Sequence, residues 1–305
     1  MAAMSPDTNG LDALPVAFSA SHRHYSNAAA PAASPGDTAF IVPTYGGFDY
    51  AWTTAASLLE CATPERHVHV LLVDDASPDW SPAWYSKLIG KTDYPQATIA
   101  YARFARNAGL TRGMNYGLKS CLNGGFDYIG VVNSDIKAPV SLLRTLVGNC
   151  RDNPHLFVGP VTNAPGNTTS EAQGIRKHLP DYTLDDSSQA VDATAEALAK
   201  LNGTSLAGGQ INGFFMFARH EAWLKAAYDP EAITVFPPLI EVMPSGRRNP
   251  TPAMTGQESW LARQCRLRGL RMAVATGAFC FHYRSVSRPG HETSGSFRSD
   301  LKSGF

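Results

Sequence analysis

Asp135 closes the stretch Tyr128-Ile-Gly-Val-Val-Asn-Ser-Asp135, where an apolar run ends abruptly in acid. The same pattern occurs at Val70-Leu-Leu-Val-Asp-Asp-Ala-Ser77, with Asp74 and Asp75 following the apolar run. A buried parallel strand is near-continuously hydrophobic, and open α/β sheets place ligands just beyond the carboxyl ends of their strands. Two apolar strands each ending in acid suggest a nucleotide site with a cation, because hard divalent ions take oxygen ligands. Three other groups have chemical potential. Arg106 and Asn107 precede a helix start near Gly109, where backbone N–H groups and a cationic side chain favour a phosphate. Glu258 opens a late helix, and His282 follows the apolar Phe279-Cys-Phe281.

Positioning these groups requires a sheet. The pattern predicts strand 38–43, helix 50–61, strand 68–74, helix 81–90, strand 97–103, helix 109–122, strand 128–133 and helix 139–150. This alternation is the signature of a doubly wound, mostly parallel α/β sheet. The helix from Leu110 shows a core face at Leu110, Met114, Gly117 and Cys121, spaced four, three and four. After Phe157-Val-Gly-Pro160 the rhythm breaks into a polar, turn-rich stretch with one helix near 191–201. A strand at 214–218, a helix from Glu221 and a Pro-rich segment over 236–252 follow. A helix at 257–268 capped by Gly269 leads into strands 271–275 and 279–283. Residues 1–37, rich in Ala, Ser and Pro, read as a mobile arm. A domain over 38–288 follows, then a mobile tail over 289–305.

Twenty-six basic and twenty-six acidic residues in a 305-residue chain balance to zero, which argues against a general nucleic-acid or anionic-membrane binder. The five cysteines are far apart, with neither zinc-ligand nor redox spacing, and read as reduced structural thiols. No run approaches the roughly 18 to 20 apolar residues of a membrane span, and no leader pattern opens the chain. The expectation is a cytoplasmic protein.

Six motifs fall in order on these elements: Ile41-Val-Pro-Thr-Tyr45, Val73-Asp-Asp-Ala-Ser-Pro-Asp79, Arg106-Asn-Ala-Gly-Leu-Thr-Arg-Gly-Met-Asn115, Asn133-Ser-Asp135, Gly256-Gln-Glu-Ser-Trp-Leu-Ala-Arg263 and Phe281-His-Tyr-Arg-Ser-Val-Ser287. Together they resemble glycosyltransferase family 2, the inverting nucleotide-sugar transferases of the GT-A fold, over residues 38 to 288. The resemblance implies a Rossmann-like sheet with a mixed acceptor-side half. It also implies a nucleotide-sugar donor, UDP-linked for preference, an acceptor hydroxyl, and Mn²⁺ or Mg²⁺ bridging the donor phosphates as a Lewis acid.

The roles it implies can be stated residue by residue. Asp135 anchors the cation, and His282 completes the site, neutral imidazole being a plausible ligand; a core histidine bonded to backbone fits His282 equally. Asn133 and Ser134 face the donor. The family's usual motif is Asp-x-Asp, so Asn133 keeps hydrogen-bonding capacity but removes one negative charge; a helix cap is the alternative for 133–135. Asp75 accepts from the nucleotide base, selecting uracil, whose imide N–H is a donor cytosine lacks. Pro43, Thr44 and Tyr45 form the other wall of that pocket. Asp74 fixes the loop, although Asp-Ala-Ser-Pro-Asp is also ordinary turn chemistry. Arg106, Asn107 and, further along the helix, Asn115 contact the nucleotide or its phosphates, unless Arg106 is a solvated charge. Asn212 and Gly213, within Gly208-Gly-Gln-Ile-Asn-Gly-Phe-Phe215, pass beneath the donor sugar. Glu258 is the catalytic base, where the family usually has the Asp of Glu-Asp and this chain has Gln257-Glu258. A carboxylate in a helix's first turn is also favoured by the dipole alone. The polar loop Thr162-Asn-Ala-Pro-Gly-Asn167 lies just past a strand end without an assigned role.

Two rivals remain at this level. A sugar-nucleotide pyrophosphorylase shares the sheet but needs a Gly-rich loop after strand one, of which Pro43-Thr-Tyr-Gly-Gly47 is a poor version. An inactive sugar- or polymer-binding module is motivated by Asn133 and Gln257. A dehydrogenase is disfavoured because G-x-G-x-x-G is absent after the first strand. The donor sugar, the acceptor and the oligomeric state are not legible.

Overall fold

A computed structural model of the chain describes residues 36–78, 96–165, 171–243 and 246–283, with the backbone of 13–14. The expected helix at 81–90, the C-terminal tail and most of the N-terminal arm lie outside the described residues.

The large sheet has the order β1-β4-β3-β2-β5-β9-β7-β10-β8. Its strands are β1 (Ala13–Leu14), β2 (Thr38–Thr44), β3 (Val68–Asp74), β4 (Ala97–Phe104), β5 (Tyr128–Val132), β7 (Leu156–Val161), β8 (Leu206–Gly208), β9 (Phe215–Arg219) and β10 (Arg271–Phe279). β4, β3, β2 and β5 pair in parallel. β9 then enters antiparallel to both β5 and β7, and β10 returns parallel to β7, giving the mixed half. Outside this sheet, β6 (Ile136–Lys137) and β11 (Phe281–His282) form an antiparallel two-residue ladder. Within the N-terminal arm, Ala13 and Leu14 pair with Phe104 and Arg103 of β4.

Helices cover both faces. α2 (Leu110–Asn123), α4 (Ser188–Asn202), α5 (His220–Ala226) and α6 (Gln257–Arg268) pack on one side, with α1 (Phe48–Leu59) and α3 (Leu142–Arg151) on the other. The strand alternation divides the core accordingly. Ala39, Ile41, Val73, Val131 and Met216 meet the first set of helices, while Phe40, Val42, Leu72, Val132 and Phe217 meet the second. α2 lies so close to β2 that a Cβ on Gly117 would come within 2.2 Å of Ile41 Cγ2. All five cysteines are buried free thiols. Burial pushes the pKa of Cys121 up to about 12, so it is an inert packing group at neutral pH.

The strand expected over 279–283 divides at Cys280, and β6 and β8 were not foreseen. Cys280 N donates to Val161 O, and Tyr283 N to Asp135 O at 2.9 Å. Those bonds turn the chain out of the large sheet and across the end of β5.

Candidate functional site

β5 delivers Asn133, Ser134 and Asp135 to the carboxyl edge of the sheet. The ladder opposite, with His282 paired to Ile136, brings a residue from the far end of the domain beside them. His282 Nε2 lies 3.3 Å from Asp135 Oδ1, and both residues are buried. His282 Nδ1 faces Ala164 O at 3.2 Å. A carbonyl only accepts, so Nδ1 carries the proton and a neutral ring has its lone pair on Nε2. That atom is buried with no hydrogen-bond partner; its approach to Asp135 is close enough for an ion pair but not aligned as a hydrogen bond. With the ring neutral, a lone pair faces a carboxylate, an arrangement that calls for a positive charge from a cation or a second ring proton.

A divalent cation would supply it. Two donors about 2.1 Å from one octahedral ion and at right angles to each other are about 3.0 Å apart, close to the separation seen. No group of three His, Cys, Asp or Glu side chains suited to a metal exists among the described residues. Asp135 and His282 thus fit a cation that takes its other ligands from phosphate and water, as Mg²⁺ commonly does. Phe214 stacks on the His282 ring, with centroids 4.8 Å apart at 17°.

The same Phe214 connects this pair to Glu258. Its carbonyl accepts from Asn133 N at 2.8 Å, and its N–H donates to Asn212 Oδ1 at 3.1 Å. Asn212 N is held by the buried Gln173 Oε1 at 2.8 Å. Gly213 lies against Glu258 so closely that a Cβ there would be 3.0 Å from Oε2. Glu258 stands in the first turn of α6, whose start is fixed by the bond from buried Gln257 Nε2 to Thr111 Oγ1 at 2.7 Å. Gln257 thus anchors the start of the helix, with the Glu258 carboxylate beside it. Asn133, Ser134, Asp135, Asn212, Gly213, Glu258 and His282 thus occupy one contiguous region.

Pro43, Thr44 and Asp75 meet at the next strand ends, where Asp75 N donates to Thr44 O at 2.8 Å, and Tyr45 beyond them is exposed. The Asp75 carboxylate accepts from Ala108 N at 2.6 Å and Gly109 N at 2.9 Å. Burial raises its pKa, and the two N–H bonds oppose the rise. A carboxylate has about four lone-pair sites, so two bonds leave room for another donor. Asp74 is fully buried and bonded to Ser77 N, Ser77 Oγ, Tyr101 and Arg103. It holds the loop at Ala76, whose φ of 60° is rare for a side chain larger than glycine.

Two groups expected on the donor side have partners within the chain itself. The N–H groups at the start of α2 do not wait for a phosphate: Asp75 takes those of Ala108 and Gly109, and Ala253 O takes that of Thr111 at 3.1 Å. Gly109 adopts φ 90°, and a Cβ there would meet Ala253 at 2.8 Å, so the corner is filled by the chain itself. Arg106 and Asn107 are exposed outside it. Asn115 is engaged at both ends of its amide with the Phe236 backbone, at 2.8 and 2.9 Å. Through these bonds it braces the loop after α5. Asn163 and Gln173, which hold His282 and Asn212, gave little sequence signal; Asn163 was marked only by its polar loop past a strand end.

A family model described as glycosyl transferase family 2 matches residues 39–219, a span that includes Asp135 but ends before Glu258 and His282. Similar solved structures include GalNAc-T7 with UDP, GalNAc and Mn²⁺, at a TM-score of 0.55 and 11% identity over 82% of this chain and 44% of that one. Another is the mannosyltransferase PcManGT from Pyrobaculum calidifontis in complex with GDP-Man and Mn²⁺, at 0.52 and 16% over 84% and 58%. At such identities the likeness is one of fold, and the chain spans about half the length of these structures. No curated protein sequence matches the chain.

Proposed function

This chain belongs to glycosyl transferase family 2, and from that premise we propose an inverting transferase that moves a sugar from a nucleotide-diphosphate donor to an acceptor hydroxyl. The observation that carries the reading is the buried Asp135–His282 pair, with an unpartnered Nε2, bridged through Phe214 and Gly213 to Glu258.

Asp135 and His282 would hold Mn²⁺ or Mg²⁺, which when bound stabilises the charge of the departing diphosphate. Glu258 takes the proton of the acceptor hydroxyl as its oxygen bonds to the anomeric carbon. The bond from that carbon to the diphosphate oxygen breaks on the opposite face, and the electron pair leaves with the nucleotide. Gly213 leaves room for the Glu258 carboxylate, while Asn133 and Asn212 offer amides to sugar or ribose. Asp75 has acceptor capacity for a base N–H, which favours a uridine donor, beside Pro43, Thr44 and Tyr45. The working domain is 38–288. No helix among the described residues is long and apolar enough to cross a membrane, and we assign the protein to the cytoplasm.

The test is a screen of UDP- and GDP-sugars for release of the nucleoside diphosphate, with Mn²⁺, with Mg²⁺ and with chelator. Release from one donor that chelator abolishes supports the reading. Donor binding without release under any metal would make the chain a sugar-nucleotide binder instead.

A further inference from the structure

We propose that Asn163 is the positioning residue that aims His282 at Asp135. The inference rests on the metal reading above and adds to it a residue that lies outside the ion's own surroundings.

Three bonds from one loop seat His282. Asn163 Oδ1 accepts from His282 N at 2.8 Å, and Asn163 Nδ2 donates to His282 O at 3.0 Å. Ala164 O receives the proton of His282 Nδ1 at 3.2 Å. A primary amide facing both the N–H and C=O of one residue reproduces the pairing of an adjacent β-strand. It also leaves a single amide orientation possible, since each end meets a group of fixed polarity. His282 has a strand partner on one side only, in β6, and Asn163 supplies the other.

The loop can do this because its base is fixed. Thr162 N donates to Gln173 O at 2.8 Å, Ile175 N donates to Thr162 O at 2.9 Å, and Cys280 N donates to Val161 O at 2.9 Å. With the His282 backbone held, Nδ1 bonded and the ring stacked on Phe214, Nε2 has one direction available, toward Asp135 Oδ1. Tyr283 carries the same restraint forward through its N–H bond to Asp135 O and its hydroxyl bond to Asp186 at 3.0 Å. A ligand whose other nitrogen is held by a carbonyl is oriented and made more basic, and losing such support typically costs about 10- to 100-fold in metal affinity.

Asn163→Ala tests this, with Asn163→Asp as a second variant that keeps the acceptor for His282 N and loses the donor to His282 O. The ¹⁵N shifts of His282 in metal-free protein report the tautomer. Electron paramagnetic resonance of Mn²⁺, with and without inorganic diphosphate, reports uptake independently of turnover. Wild type should show the Nδ1–H form and take up Mn²⁺ with diphosphate. Asn163→Ala keeps the Ala164 carbonyl but frees the His282 backbone. The ring should then drift from that carbonyl, mix its tautomers and bind Mn²⁺ about tenfold or more weakly, with Asn163→Asp affected in the same direction. Folded variants with the wild-type tautomer and Mn²⁺ titration would overturn the proposal, as would failure of both variants to fold, which would make the residue structural. If wild type takes up no Mn²⁺, the metal reading itself falls, and the tautomer alone then decides whether Asn163 aims the ring.

Discussion

His282 Nε2 and Asp135 Oδ1 stand 3.3 Å apart in the protein interior, 147 residues separated in sequence, with the proton of the imidazole committed to the opposite nitrogen. An acceptor facing a carboxylate is unfavourable without a cation or a second ring proton. Asp135→Asn removes the negative charge and keeps the shape. It should abolish metal-stimulated turnover and weaken binding of UDP in the presence of Mn²⁺, leaving uridine binding intact. Unchanged Mn²⁺ dependence in calorimetric and kinetic titrations would take Asp135 out of the mechanism.

His282→Ala separates the two meanings of a buried histidine. As a ligand, its loss should weaken Mn²⁺ binding by about 10- to 100-fold. As a packing group stacked on Phe214, its loss should lower the melting temperature and leave the metal titration alone. Measuring both on one preparation distinguishes the roles.

Much of this architecture was legible in sequence, for identifiable reasons. Strands such as Val68–Asp74 are buried along their whole length and read as apolar runs ending in acid. α2 buries Met114, Gly117 and Cys121 at helical spacing, although Leu110 is only partly buried. Two-residue strands like Ile136–Lys137 have no periodicity to read. The partners of the helix N–H groups near Arg106 and of the Asn115 amide were not legible, because they come from Asp75, Ala253 and Phe236, the last two more than a hundred residues away. Asn163 was invisible as a clamp because its partner is a backbone, which any residue possesses.

Histidine 69 provides a pH dependence. It is buried on β3, stacked on Phe126 and bonded to Thr98 Oγ1 at 2.8 Å. Burial, aided by neighbouring His67, pushes its pKa down to about 4 from 6.5. The unfolded chain therefore binds a proton that the folded chain refuses between those values. Stability from this group is complete above pH 6.5 and is lost as pH falls toward 4, at up to about 1.4 kcal/mol per pH unit. His69→Gln, which does not titrate, should flatten the melting-temperature profile over that window. An equally steep profile would place the acid sensitivity elsewhere.

Gly213→Ala probes the seat of Glu258. Its methyl would lie 3.0 Å from Glu258 Oε2, a contact the flexible carboxylate relieves by moving. Small displacements of a reacting group are expensive, with about 1 Å costing up to about 100-fold. Transfer should fall by about tenfold, with little change in melting temperature or in the affinity for UDP. Wild-type turnover would show that the Glu258 position is not critical.

Glu258→Gln carries the functional claim. Glutamine keeps the size of the side chain beside Gly213 but cannot accept the acceptor's proton. Loss of a positioned general base should slow transfer by roughly 10² to 10⁴, or about 3 to 5 kcal/mol of barrier. Donor affinity should remain near the wild-type value, because the base faces the acceptor side of the anomeric carbon. Glu258→Asp should retain partial activity, since it keeps the carboxylate and withdraws it by one methylene. A Gln variant that transfers at the parent rate would move the base elsewhere, with exposed Glu241 on the Pro-rich loop next in line. One that loses UDP binding outright would assign Glu258 to the nucleotide pocket and remove the acid–base scheme.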